Sequence, residues 1–305
     1  MLDVGFDLGP TSRTRTGSRY KFLEMFGRVC NLTEGPGPPA MIVFGDNRPT
    51  YRQYLRRGVP YVLVENDIGT LRERKGPTRT EREMIENAAS MLLTSEGHLA
   101  YLEQHYRLPP HEIVHLRPLA ECLDFDPPEK LPRTVVYSGG VVSGIVGKFA
   151  YRTYALEIFP AIIAAGWTVH IYSPSLCGER VRAYRDIGCE LHEFVPQGEL
   201  YRELARYAVG FQGYSEHAPQ DYVRTCRPNK LWEYLAAGIP TLGYNTGDGG
   251  SIYHGRWGLV ADTLADIPAT LARLEAWPIP DTLRREQVMD NDLDKFARLV
   301  GYLEL

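Results

Sequence analysis

PNKLWEYLAAGIPTLGY, residues 228–244, decides the reading of this chain. Leu231, Tyr234, Leu235 and Ala236 recur at helical spacing. Pro228 and Asn229 stand at the helix start, where Asn caps and Pro tolerates the first turn. Gly238 suits a left-handed C-terminal stop, and Thr241–Tyr244 after Pro240 reads as a strand. Glu233 does not fit a purely structural helix. A carboxylate among apolar neighbours costs free energy unless something hydrogen-bonds to it. It can accept two hydrogen bonds from a vicinal diol, and Lys230 near the helix start suits a phosphate. A helix packed on a strand accounts for the Leu, Ala and Gly, but poorly for Glu233 with Lys230.

Outward from this segment, apolar runs alternate with helical patterns. In the first half, strands are expected at Val4–Leu8, Met41–Phe44, Tyr61–Val64, Met91–Thr94 and Glu112–Leu116. Helices fall between them at Ser18–Val29, Thr50–Arg57, Thr80–Ala89 and Glu96–Tyr106. DFDPPEKLP, residues 124–132, is a linker by its prolines and charges. Strands then resume at Thr134–Tyr137, Thr168–Tyr172, Glu190–Phe194 and Ala208–Gln212, with helices between. The stretch Thr282–Leu303 reads as one amphipathic helix. Strand–helix alternation in two similar halves argues for two α/β Rossmann-like domains, each on a parallel sheet. The expected boundaries are 1–126, 133–281 and a C-terminal helix at 282–305.

Composition is that of a globular protein, 44% apolar and 24% charged. No apolar run is long enough to span a bilayer, and no basic, apolar leader follows Met1. Five scattered cysteines without metal or disulfide spacing read as reduced thiols in a cytoplasm. The expected location is therefore cytoplasmic, with peripheral membrane association open. Net charge of −4 argues against a generally basic nucleic-acid-binding surface. Two local basic runs remain: Arg13, Arg15, Arg19, Lys21 and Arg28, then Arg72, Arg74, Lys75, Arg79 and Arg82. Each is either a solvated loop or a surface for an acidic acceptor, a phosphate or a membrane. Eight histidines show no HExxH or other metal spacing.

PNK-x-x-EYLAAG-x-P, followed by GDGG at 247–250 and Gly258-Leu259-Val260, resembles the donor half of GT-B glycosyltransferases. It is most similar to their retaining family acting on lipid-linked and polysaccharide acceptors. The resemblance implies two Rossmann-like domains facing a cleft, with the C-terminal helix crossing back to the first. It implies a nucleotide diphosphate sugar as substrate, UDP-linked by frequency, with no cofactor and no metal. Glu233 then binds ribose, while Lys230, Lys148, Gly139 and Gly140 meet the diphosphate. Asp248, Gly249 and Gly250 supply further backbone amides, though a tight turn explains GDGG equally well. The family's Glu-x7-Glu pair is incomplete: its first position falls on Thr225, with Glu216 nearby as a substitute.

The loop after the first strand, GPTSRTRTG, carries Arg13, Arg15 and Gly17 as candidates for acceptor or phosphate contact. The strand Tyr61–Val64 runs into Glu65, Asn66 and Asp67. An acceptor hydroxyl needs a nearby base, so Asp67 and Glu65 are the catalytic candidates, ahead of Asp46. The expected acceptor is a glycan, a lipid-linked sugar or a modified DNA base. The last option describes phage-type enzymes acting on hydroxymethylated pyrimidines. Two other readings are a catalytically silent sugar-nucleotide-binding protein and a sugar-nucleotide epimerase of the same architecture.

Overall fold

Short, apolar β-strands assemble into two six-stranded sheets in which every pairing is parallel. The computed structural model describes residues 1–7, 18–35, 37–45, 54–65, 68, 71, 76–141, 152–154, 156–173, 179–193 and 195–304. One unit comprises Met1–Leu119, Thr225–Arg227 and Met289–Leu305, the other Ala120–Arg224 and Pro228–Val288.

The first unit contains β1 (Asp3–Asp7), β2 (Asn31–Glu34), β3 (Ala40–Phe44), β4 (Tyr61–Glu65), β5 (Ser90–Leu93) and β6 (His111–Ile113). Their order is β2-β1-β3-β4-β5-β6. β3, β4 and β5 are buried at every residue, as parallel strands covered on both faces must be. β2 escapes sequence reading because NLTE has one apolar residue and lies largely exposed at the sheet edge. Helix Glu96–Glu103 is capped by Ser95, whose Oγ accepts from His98 N at 3.0 Å. The same hydroxyl donates to Thr225 O at 2.8 Å, tying residues 225–227 to this unit.

The C-terminal stretch differs from the single expected helix. It forms Asp281–Glu286, a 3-10 turn at Met289–Asp292, and Leu293–Gly301. The break separates two destinations. Val288 is buried with Leu123, Tyr201 and Ala236 of the second unit. Phe296, Leu299 and Val300 are buried in the first. Phe296 meets Phe26 edge-on at 4.9 Å, and Ser90 Oγ donates to Leu299 O at 2.8 Å. Lys295 Nζ donates to Ile113 O at 2.8 Å, so strand and helix share a cation as well as a core.

The second unit contains β7 (Leu131–Ser138), β8 (Thr168–Ser173), β9 (Glu190–Glu193), β10 (Tyr207–Gly213), β11 (Thr241–Tyr244) and β12 (Gly258–Ala261). Their order is β12-β11-β10-β7-β8-β9. The pleat sends alternate residues to opposite faces. Val135 and Tyr137 pack with Phe159, Ile162, Phe211 and Leu271, while Val136 packs with Leu200, Leu204 and Tyr234. The proline-rich stretch 124–132 ends inside β7, which begins at Leu131.

Both sheets are wound outward from an early strand and then resume on that strand's other side. The reversal falls between β1 and β3 in the first unit and between β7 and β10 in the second. At such a point the following helices leave toward opposite faces, opening a crevice at the strands' carboxyl ends. No described helix is long and apolar enough to cross a membrane. The four described cysteines, Cys30, Cys122, Cys189 and Cys226, form no disulfide among the described residues.

Candidate functional site

The reversal between β7 and β10 gathers most of the described donor-site candidates. β7 ends at Ser138 and runs into Gly139 and Gly140. Gly139 has φ of 144°, a conformation that favours glycine, and its N–H donates to Tyr172 O at 2.8 Å. A Cβ on Gly140 would lie 2.6 Å from Arg152 Nη1, so glycine lets the guanidinium approach the turn. Tyr137 OH donates to Gly140 O at 3.1 Å, holding the turn from below.

Helix Asn229–Ala236 follows β10 and brings Glu233 to the same place. Glu233 is 7% exposed, and its Oε2 accepts from Ser138 Oγ at 2.8 Å. Lys230 sits one turn earlier, its Nζ 5.0 Å from the centre of the Tyr137 ring. Tyr234 fixes the helix to the strands. Its hydroxyl donates to Phe211 O at 2.9 Å and accepts from Ser138 N at 3.2 Å, spanning β10 and β7. Burial pushes this phenol well above its ordinary range, so it stays a donor. The ring has room because residue 210 is glycine: a Cβ there would stand 2.2 Å from Tyr234 Cγ. Pro228 occupies the N-cap position and makes no side-chain cap bond, so Asn229 begins the helix instead of capping it.

The GDGG segment lies beyond the end of β11, where Asp248–Tyr253 forms a short helix. Gly247, with φ of 55°, and Asp248 are exposed, whereas Gly249 and Gly250 are buried. The Gly250 N–H already donates to Gly247 O at 3.1 Å. A Cβ on Gly250 would meet Thr246 Oγ1 at 2.1 Å, so close packing explains this glycine. Glu216 accepts from Tyr244 OH at 2.7 Å. Both line a cavity of about 340 Å³ with Gln220, Asn245 and Asp262, at the β10–β12 end of the sheet.

In the first unit, Glu65 closes β4 and is 4% exposed. Its carboxylate lies over Gly45, where a Cβ would stand 2.0 Å from Oε2. Several basic residues are engaged internally. Lys21 is buried and donates to Leu116 O at 3.4 Å. Arg28 pairs with Asp290, Arg79 with Glu83 and Arg82 with Glu86. Asp67, Asp46, Lys148, Arg13, Arg15 and Gly17 lie outside the described residues. Sequence reading passed over Ser138 as the partner of Glu233 and Tyr137 as the seat of Lys230. The signal was present, since both precede the Gly139-Gly140 turn at the end of an apolar strand.

No protein-family description and no curated protein matches the sequence. Solved structures do match. A sucrose-phosphate synthase from Thermosynechococcus elongatus superposes with TM-score 0.59 at 13% identity, over 100% of this chain and 97% of its own. A UDP-forming α,α-trehalose-phosphate synthase from Burkholderia xenovorans, solved with glucose-6-phosphate, gives 0.54 at 10%, over 87% of this chain and 72% of its own. S. aureus TarM, solved with fondaparinux, α-GlcNAc-glycerol and UDP, gives 0.55 at 12%. That match spans 87% of this chain and 55% of TarM. With two parallel six-stranded sheets, each of Rossmann-like winding, the chain has the α/β GT-B fold of these glycosyltransferases.

Proposed function

We propose that the chain is a glycosyltransferase that moves a sugar from a nucleotide diphosphate sugar to an acceptor hydroxyl. The observation that carries this is the placement of Glu233 beside the Ser138-Gly139-Gly140 turn at a sheet reversal. A crevice at that position is where doubly wound sheets take nucleotides. The carboxylate of Glu233 accepts hydrogen bonds from the two ribose hydroxyls, with Ser138 holding one oxygen in place. Lys230 and Lys148, with amides of Gly140, Asp248 and Gly249, neutralise the diphosphate as it departs, while the Gly139 N–H stays engaged with Tyr172 O. UDP is the favoured nucleotide, because two of the fold neighbours are described with it or as forming it.

In the reaction the acceptor oxygen bonds to the anomeric carbon, and the bond from that carbon to the diphosphate breaks. The acceptor proton passes to a base, for which Asp67 and Glu65 are the candidates. The nucleoside diphosphate leaves with its electron pair, and fixed dipoles and cations take the role a metal plays elsewhere. The acceptor, held by the first unit, is a glycan, a lipid-linked sugar or a modified DNA base. Arg13, Arg15 and Gly17, which follow β1 in sequence, are the candidates to meet the acceptor or a phosphate.

The test is a panel of UDP-, GDP-, ADP- and CMP-sugars with the purified chain, following nucleotide release with and without glycan acceptors. Release from one donor, abolished in Glu233→Ala, is expected. A new sugar nucleotide formed from donor alone would indicate epimerisation instead, and binding without turnover would indicate a silent module.

A further inference from the structure

β8 and β9 bring together three side chains that are separated in sequence. In the parallel register His170 lies opposite Glu190, and Tyr172 opposite His192. His170, Glu190 and His192 therefore share one face at the sheet edge. His170 Nδ1 is 3.0 Å from His192 Nε2 and 3.3 Å from Glu190 Oε2, and all three ligand atoms lie within 4.8 Å of one another. Donors bound to one tetrahedral zinc ion at about 2.0–2.2 Å stand roughly 3.3–3.6 Å apart. The pocket needs little rearrangement to hold such an ion. The Glu190 side chain, 58% exposed, is free to turn the remaining distance.

We propose that His170, His192 and Glu190 bind one divalent transition ion of the zinc class, clipping the edge strand β9 to β8. The donor set is two imidazoles and one carboxylate, which suits zinc, nickel or copper and disfavours magnesium or calcium. Water completes the shell. Both rings are held in position by aromatic neighbours. The Tyr172 ring stacks on His192 at 4.8 Å and 18°, and the Tyr207 ring lies 4.7 Å from His170. Arg206, the nearby cation, is paired with Glu203 at 3.1 Å. The clip stands apart from the sugar-nucleotide reading and does not depend on it.

The test titrates chelator-stripped full-length chain with Zn²⁺ by calorimetry and by thermal shift, and with Co²⁺ for its visible spectrum. One Zn²⁺ per chain is expected, with a raised melting temperature and the intense absorption of tetrahedral Co²⁺. Mg²⁺ leaves both unchanged. His192→Asn and Glu190→Gln alter part-exposed positions, and circular dichroism verifies their folding. Each should weaken binding by more than the roughly tenfold that an outer-shell loss gives. A simple His170–His192 hydrogen bond would leave the chain without stoichiometric Zn²⁺ binding, which would overturn the proposal. Wild-type affinity in both variants, or equal competition by Mg²⁺, would overturn it as well.

Discussion

Gly210→Ala tests how the second unit holds its site together. The added methyl carbon would stand 2.2, 2.4 and 2.5 Å from Tyr234 Cγ, Cδ2 and Cδ1. Comfortable carbon–carbon contact begins near 3.5 Å, so the ring must withdraw by about 1 Å or more. Withdrawal lengthens the hydroxyl's bonds to Phe211 O and Ser138 N, now 2.9 and 3.2 Å, beyond useful range. Overpacking costs about 1–3 kcal/mol, and a buried polar group left unpaired about 1–3 kcal/mol more. The expected loss is therefore about 2–6 kcal/mol, accompanied by weaker nucleotide binding, because Glu233 adjoins Tyr234 on the same helix. Urea unfolding followed by tryptophan fluorescence suits the measurement: Trp167, Trp232, Trp257 and Trp277 all belong to the second unit. In a Tyr234→Leu background the same substitution should cost clearly less, since contacting residues couple. A loss under about 0.5 kcal/mol in the wild-type background, the range of an uninvolved surface site, would show that Gly210 is not needed to seat the Tyr234 ring.

Three further outcomes are expected. Ser138→Ala removes the hydroxyl that donates to Glu233 at 2.8 Å and should cost about 1.5–3 kcal/mol by urea titration; no change would mean water replaces it fully. Phe296→Ala removes a fully buried ring from the first unit and should cost about 3–5 kcal/mol, read as a lower melting temperature. Burial, with Arg227 adding, pulls His98 down to about 4. The unfolded chain takes up that proton first, so stability falls as pH drops from about 6.5 toward 4, by up to about 3 kcal/mol. His98→Gln should flatten that part of the wild-type slope, and parallel slopes would exclude His98 as its source.

The helix and strand of residues 228–244, and most buried strands, were legible because their apolar runs and glycine stops are local signals. Ten of the twelve described strands were expected from the sequence. β2 and β12 were not: NLTE is largely exposed, and GLVA is four residues long. Glu233 was legible as an anomaly, yet its partner Ser138 lies 95 residues away and only β7 brings it near. The split of the C-terminal helix was hidden for a related reason. Periodicity reports an apolar face but not which of two cores receives it, and Val288 and Phe296 go to different ones. Likewise the histidines show no metal spacing in sequence, whereas parallel pairing of β8 with β9 creates one in space. Gly250 carries the opposite lesson: a glycine that read as a phosphate cradle is also required by the closeness of Thr246.

The most direct measurement is calorimetric titration of the wild-type chain and Glu233→Gln with UDP and the UDP-sugars. The charge-to-amide change keeps the shape of the side chain while removing one acceptor oxygen. One site per chain is expected in the wild type, and binding at least about tenfold weaker in the variant, equivalent to a loss of about 1.4 kcal/mol or more. Equal affinity in the two proteins, or no binding of any nucleotide sugar to the wild type, would contradict a sugar-nucleotide site at Glu233.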